Sequence, residues 1–326
     1  MKKIIYALIL VLITMSFSGC KSVQTKDFYA EGNKLNTYVS VRIYEGGSQK
    51  IADDALALCD RYELIFSRTD EKSLLYKLNN EGRLVIDSEE AVILADLINT
   101  GLEYCRLTQG ALDISIEPVS SLWDFEEHII PKDDEIETGL AKLGYDRVEV
   151  TDKEIRLNGA RLDLGAVAKG YIADRMRDYL LENGVKSALI NLGGNILCVG
   201  SKPDGAAFAV GIKNPFGTSS DVILGLNVKN MSVVTSGVYE RYFYDNEIFY
   251  HHILNPATGY PCDNGLLSVT VIAEDSTVCD CLSTGLFVLG KDKAIELVNN
   301  MESVYAIIID ENYEITYSEG AKAFVR

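Results

Sequence analysis

Residues 160–195 open with Ala160-Arg-Leu-Asp163-Leu-Gly165-Ala166-Val-Ala-Lys169-Gly170-Tyr171 and close with Ser187-Ala-Leu-Ile-Asn-Leu192-Gly193-Gly194-Asn195. Residues 160–163 predict a short strand that turns through small residues into a helix, and Asn183-Gly184 has the chemistry of a helix C-terminus. The apolar run Ser187–Leu192 then predicts a strand that enters a Gly-Gly turn. Upstream, residues 37–44 alternate and are β-branched, so they predict a strand. Ile51, Ala55, Leu58, Tyr62 and Ile65 give helical spacing to Gln49–Phe66, and residues 88–108 predict a second helix with Ser88 as N-cap and Gly110 beyond its end. The acidic stretch 126–137 reads as a solvated loop or the start of a short helix. Downstream, strands are predicted at 147–150, 154–157, 207–212, Val222–Val228, 231–235, 240–244, 247–251 and 266–272. A helix follows over Ser276–Leu289, closed by Gly290, another begins at Lys291, and final strands are predicted at 303–309 and 314–318. Many antiparallel-looking strands with interspersed helices predict an α+β fold, in one compound domain or two intimate halves.

The chain has 326 residues, 47% hydrophobic and 24% charged, the balance of an ordinary globular protein. Lys plus Arg total 31 against 48 for Asp plus Glu, a net charge of −17, which disfavours nucleic acid and anionic lipid surfaces as partners. A phosphate ligand would need a local device: a helix N-terminus, a divalent cation or a placed Lys. Lys2 and Lys3 precede an apolar run over 4–15, and Ser16-Phe17-Ser18-Gly19 leads into Cys20. That is the order of a secretory signal, and the run falls short of the ~20 residues of a membrane span. Cys20 after Ser-Gly resembles a bacterial lipobox. The expectation is a signal peptide over 1–19, a lipidated Cys20, a tether over 20–36 and a catalytic domain over 37–326, held outside the cytoplasm on a membrane by acyl chains. The other six cysteines read as small buried hydrophobes, and Cys279-Asp280-Cys281 lacks the second Cys pair of a zinc site.

Ser276-Thr-Val-Cys-Asp280-Cys-Leu-Ser283-Thr284 sets a carboxylate and a hydroxyl four residues apart, on one helical face near the end that favours anions. Hard oxygens of this kind suit Mg²⁺; a helix with early acids and a small-residue face is the structural alternative. The run 163–170 is neither GxGxxG nor Walker A. Its glycines would let a pyrophosphate approach a helix N-terminus and Lys169, or would serve only tight strand–helix packing. Tyr250-His251-His252-Ile-Leu-Asn255-Pro256-Ala-Thr-Gly259-Tyr-Pro261 holds two of the three histidines. Such a His could be a general base near neutral pH or a structural group bonded to a turn carbonyl. Residues 108–118 lead to Trp123, the only tryptophan, which would face a heterocycle or sit in a core. Thr235-Ser236-Gly237 and the aromatic run after it indicate β-structure alone. No Gly-x-Ser-x-Gly elbow supports a serine hydrolase.

In order along the chain stand Phe66-Ser67 with Ser73 and Leu78-Asn79, Gly110-Ala-Leu-Asp113, the run 163–170, Asn191-Leu-Gly-Gly-Asn195, Thr235-Ser-Gly237, His252-Ile-Leu-Asn-Pro256 with Thr258-Gly-Tyr-Pro261, and Asp280 to Gly290. Together they resemble the FAD:protein FMN transferases, the ApbE-type flavin transferases, over most of residues 37–324. The resemblance implies a T-fold-like α+β architecture: two related α/β halves with antiparallel sheets and FAD between them. It implies that Mg²⁺ bridges the FAD pyrophosphate and that FMN passes to a Thr or Ser hydroxyl of an acceptor protein, such as a membrane redox subunit, with release of AMP. By position, Asp280 and Thr284 would be side-chain ligands of Mg²⁺, Ser283 would lie nearby, and Ala166, where some relatives carry Thr, would offer its carbonyl. Ala111, Leu112, Asp113, Asp163, Lys169 and Leu254 would touch FAD, and His252 would be the catalytic base. The chain departs from the family at Leu35-Asn36-Thr37, where Met-Gly-Thr is frequent, and at Thr69, where an aromatic often follows the Phe-Ser pair; both bear on the mouth of the flavin site. With water in place of the hydroxyl, the same site would be an FAD pyrophosphatase giving FMN and AMP. A flavin-binding lipoprotein without catalysis would leave Asp280, Thr284 and His252 unexplained.

Overall fold

The structure, a computed structural model, describes residues 27–218 and 221–326; the expected signal segment and Cys20 lie outside the described residues. In chain order come β1 (Phe28–Lys34), β2 (Thr37–Glu45), α1 (Gln49–Phe66), α2 (Leu74–Glu81), β3 (Arg83–Val85), α3 (Glu89–Leu107), α4 (Glu117–Ser120), α5 (Asp133–Leu140), β4 (Glu149–Val150) and β5 (Glu154–Arg156). They are followed by α6 (Ala168–Glu182), β6 (Ser187–Leu192), β7 (Asn195–Gly200), β8 (Phe208–Lys213), β9 (Val222–Val228), β10 (Ser232–Gly237), β11 (Tyr242–Asp245), β12 (Ile248–His251) and β13 (Leu266–Ala273). The chain ends with α7 (Ser276–Leu289), α8 (Lys291–Asn299), β14 (Tyr305–Asp310) and β15 (Ile315–Tyr317).

Eight strands form one antiparallel sheet in the order β1-β2-β6-β7-β10-β13-β14-β15. The α+β expectation holds, with the two halves joined in this continuous sheet. Their seam is narrow, because β7 and β10 share only the pairs Leu197↔Ser232 and Ile196↔Val233.

The period of two along each strand decides what covers each face. Val39, Val41, Ile43, Ala188 and Ile190 face a core built with α1, α3 and α6. Val234, Val269, Val271, Ala306 and Ile308 face α7 and α8. The alternate residues Cys198, Val233, Ile272, Ile307 and Ile309 pack under the β8–β9 hairpin on the opposite face. Strands buried on both sides therefore carry unbroken apolar runs, as in Ala306-Ile-Ile-Ile309. Each such Ile or Val contributes roughly 1.5–3 kcal/mol by leaving water. The six described cysteines are buried and free, in keeping with the small-hydrophobe reading.

Several boundaries differ from expectation. β1 begins at Phe28, inside the expected tether, and pairs residue for residue with β2 from Phe28↔Ile43 to Lys34↔Thr37. Only Ala30 of β1 is buried, so an edge strand reads as a polar linker. Residues 160–163 form no strand; they meet residue 116 through a single bridge, Ile116↔Arg161. The helix expected to open near Asp163 starts at Ala168. Residues 133–140 are a helix, α5, and α2 was not foreseen.

Candidate active site

Helices α6 and α7 lie side by side, and the contact is set by a glycine. A Cβ at Gly170 would overlap Ser276 O and stand 2.7 Å from Asp280 Cβ. Close helix packing is therefore what Gly170 serves. The start of α7 has no side-chain cap of its own. Asp174 of α6 caps it instead, accepting from Ser276 N at 2.9 Å, Thr277 N at 2.8 Å and Thr277 Oγ1 at 2.6 Å, with Arg177 at 3.1 Å. Burial pushes the Asp174 carboxyl upward, and these hydrogen bonds and Arg177 oppose it. The leading N–H groups of this anion-favouring helix end are spent on Asp174.

Gly170 N–H donates to Asp280 Oδ2 at 2.9 Å. In regular α-helix that N–H would serve the carbonyl four residues back, Ala166. Among the described residues no backbone hydrogen bond reaches Ala166 O. Asp280 is 3% exposed, and its Oδ1 lies 3.6 Å from Lys169 Nζ, which donates to Gly165 O at 3.1 Å. One turn on, Thr284 Oγ1 is 3.1 Å from Ser236 Oγ, which is 2.8 Å from Ser283 Oγ. Ser283 is fully buried and donates to Asp280 O at 3.1 Å, so it stands behind the donor set. Ser236, which the sequence marked only as β-structure, orients Thr284 from β10.

Two loops lie against these helices. Gly285 presses on Thr108 and Leu112, where an added Cβ would come within 2.7 Å of Thr108 Cγ2 and 3.3 Å of Leu112 Cβ. This brings Ala111, Leu112 and Asp113 beside α7, next to Thr284. Asp113 Oδ1 accepts from Ser115 N at 2.7 Å and Ser115 Oγ at 2.6 Å, while burial pushes its carboxyl up. Asp163 N donates to Ile114 O at 2.9 Å and ties this loop to the 163–170 turn. The Asp163 carboxylate accepts from Gly165 N at 2.9 Å and Ser120 Oγ at 2.8 Å, and pairs with Arg68 Nε at 3.1 Å. Arg68 and Ser120 were not singled out in the sequence, since each reaches Asp163 only through the fold.

The two adjacent histidines differ in what holds them. His251 is buried, with Nε2 at 3.1 Å from Cys262 O and Nδ1 accepting from Ile253 N at 3.2 Å. Both nitrogens are used, and burial lowers its pKa to about 4. It is a structural histidine. His252 is half-buried, with Nδ1 at 3.3 Å from Arg241 O. If Nδ1 carries the proton toward that carbonyl, Nε2 is left as an acceptor. Burial first, then the repulsion His251 would exert were both rings charged, and the cationic Arg241 and Lys169, hold its pKa well below the usual histidine range. Leu254 is buried in a satellite cluster with Val119, Trp123 and Ile136. Trp123 donates to Gly259 O at 3.0 Å and stacks on Phe125, so it packs the loops around the hairpin in a core role.

The oxygens available to a cation are Asp280 Oδ1, Thr284 Oγ1 and the Ala166 carbonyl. No group of three or more His, Cys, Asp or Glu poised for a metal is present among the described residues. One carboxylate with neutral oxygens is a poor zinc or calcium cage, but it fits Mg²⁺, which keeps waters and takes substrate phosphate oxygens.

The ApbE family model matches residues 35–308. The FAD:protein FMN transferase of Klebsiella pneumoniae (strain 342) is 37% identical over 278 residues, 82% of this chain and 85% of its own. The enzyme of that name from Haemophilus influenzae is 30% identical over 98% of this chain and 97% of its own. The crystal structure of the ApbE protein of Thermotoga maritima superposes with a TM-score of 0.85 at 34% identity, over 92% of this chain and all of that one. By sequence over nearly its whole length and by fold, this chain belongs to the ApbE family.

Proposed function

We propose that this chain is a Mg²⁺-dependent FAD:protein FMN transferase that moves FMN from FAD to a Thr or Ser hydroxyl of an acceptor protein and releases AMP. The observation that carries the reading is the diversion of Gly170 N–H from Ala166 to Asp280. It fixes the carboxylate, frees a backbone carbonyl and leaves Asp280 Oδ1 toward Lys169. Asp280, Thr284 and the Ala166 carbonyl would hold Mg²⁺, which when bound supplies charge neutralisation to the pyrophosphate oxygens. Lys169 adds a placed cation for the same diphosphate. The 111–113 loop and the Asp163 turn flank that position and would bind the rest of FAD. His252 Nε2 accepts the proton of the acceptor hydroxyl as its oxygen attacks the FMN-side phosphorus; the bridging P–O bond breaks and AMP departs with its electron pair. A base of this kind contributes about 10²–10⁴-fold, provided the imidazole is neutral. The names of the relatives support transfer of FMN from FAD to protein.

The lipobox-like Cys20 supports a lipid-anchored enzyme working outside the cytoplasm, where its acceptor would be a membrane redox subunit. The reaction is tested by incubating enzyme, FAD and Mg²⁺ with acceptor protein and measuring AMP against flavin bound to protein. Transfer gives the two in equal amounts. AMP matched by free FMN would assign a pyrophosphatase.

A further inference from the structure

The hairpin that leads into His252 has one edge that no described residue pairs with. Among the described residues, β11 and β12 pair only with each other. They are joined by Asn246-Glu247, both with positive φ, the two-residue turn whose twist suits a tight hairpin. The register runs Tyr242↔His251, Phe243↔Tyr250, Tyr244↔Phe249, Asp245↔Ile248, and just beyond it His252 N donates to Arg241 O at 3.1 Å. Bonded and non-bonded pairs alternate along an antiparallel ladder. Arg241 and Phe243 therefore point their backbone groups at β12, whereas Tyr242 and Tyr244 turn N–H and C=O away from it. Those two residues are 39% and 60% exposed.

A lone two-stranded ribbon is at best marginally stable in water. This one is braced on both faces. Phe243 stacks on His128 at 4.8 Å and on Tyr250 at 5.3 Å, while Phe216 meets Tyr242 at 5.5 Å and Phe249 at 5.7 Å. The result is a supported strand whose outer edge is open among the described residues, in line with His252.

We propose that the β11 edge binds the acceptor as an added strand: an extended segment pairs its backbone with Tyr242 and Tyr244 and so presents its Thr or Ser to His252. The proposal rests on the transfer reading above. An edge recognises polypeptide as such, through main-chain hydrogen bonds, and leaves selectivity to alternate side chains. The added strand lies two strand spacings, about 10 Å, from β12. His252 leans back toward β11, its Nδ1 3.3 Å from Arg241 O, and the bonded pair Arg241/His252 fixes the point along the edge at which the acceptor's Thr or Ser is offered.

The probe is a panel of synthetic ten-residue peptides with one central Thr or Ser, from which the member flavinylated fastest by wild-type enzyme is taken. Tyr244→Pro deletes an outward N–H without removing a ladder bond to β12, whereas Tyr244→Ala removes the ring and keeps the N–H. The expected result is an acceptor KM raised roughly tenfold by Tyr244→Pro, the cost of one lost hydrogen bond, and much less by Tyr244→Ala, with the Kd for FAD the same in both. Equal KM values in both variants overturn the proposal. Should the Pro variant fail to fold, wild-type enzyme is assayed with peptides N-methylated one position at a time. Loss at alternate positions is expected, and uniform loss or none contradicts it. A wild-type dimer that Tyr244→Pro dissociates would give the edge to a second copy of this chain. If intact proteins acquire FMN and the peptides do not, the docking proposal falls and the transfer reading stands; if nothing acquires FMN, the transfer reading itself fails.

Discussion

His251 and His252 are neighbours with the same side chain and opposite circumstances. Their residue types and spacing place both ahead of a turn and do not separate a base from a structural group, and only the family resemblance points to His252, because the difference lies in partners eleven residues away: Cys262 for one, Arg241 for the other. His252 keeps a nitrogen free, and His251 does not. His252→Ala should lower the rate of transfer by about 10²–10⁴-fold while leaving the Kd for FAD unchanged. Loss of FAD binding with activity would make the residue structural. With three histidines in the chain, an NMR titration of the free enzyme can follow each ring. His252 should remain neutral as pH falls through 6.5 and protonate only below it, the direction set by burial and its cationic neighbours. A His252 titrating at or above 6.5 would contradict that assignment.

At the scale of elements, the site depends on how α6 meets α7. That Asp280 and Thr284 share one face of α7 was legible because a spacing of four on a helix is a local property. The contact that aims it was not: Gly170 to Asp280 and Asp174 to Ser276 each span more than a hundred residues of chain. From the sequence, Gly170 could equally have approached a ligand or another helix, and only the fold supplies the Ser276 carbonyl it would strike. Gly170→Ala should therefore force the helices apart, destabilising the protein by about 1–3 kcal/mol through overpacking. It should also raise the Mg²⁺ concentration needed for transfer, since the Asp280 carboxylate moves with α7. Urea unfolding and a Mg²⁺ titration of the rate measure the two effects; a variant that matches wild type in both would show that the close approach is not needed. The same scale explains the missed edge strand. β1 is recognisable by its pairing with β2, whereas its own residues are mostly polar and solvent-facing.

Across the whole molecule, most of the sheet was legible because strands buried on both faces carry plain apolar runs, and the α+β class followed from their number and spacing. The joining of two halves through the short β7–β10 pairing was not, since two residue pairs leave no periodic signal. The net charge of −17 makes the surface hostile to a pyrophosphate, and where α6 meets α7 the structure sets Lys169 3.6 Å from the lone carboxylate of Asp280, a local departure from that charge. The proposed function requires that a cation held by Asp280 allows FMN to pass to protein. The most direct measurement is the intact mass of an acceptor protein incubated with FAD and either wild-type enzyme or Asp280→Asn, a change that keeps an acceptor for Gly170 N–H and removes the charge. An FMN adduct formed by wild-type enzyme with Mg²⁺, absent when Mg²⁺ is chelated and absent with Asp280→Asn, is the predicted result. Equal adduct in all three reactions, or none in any, would contradict it.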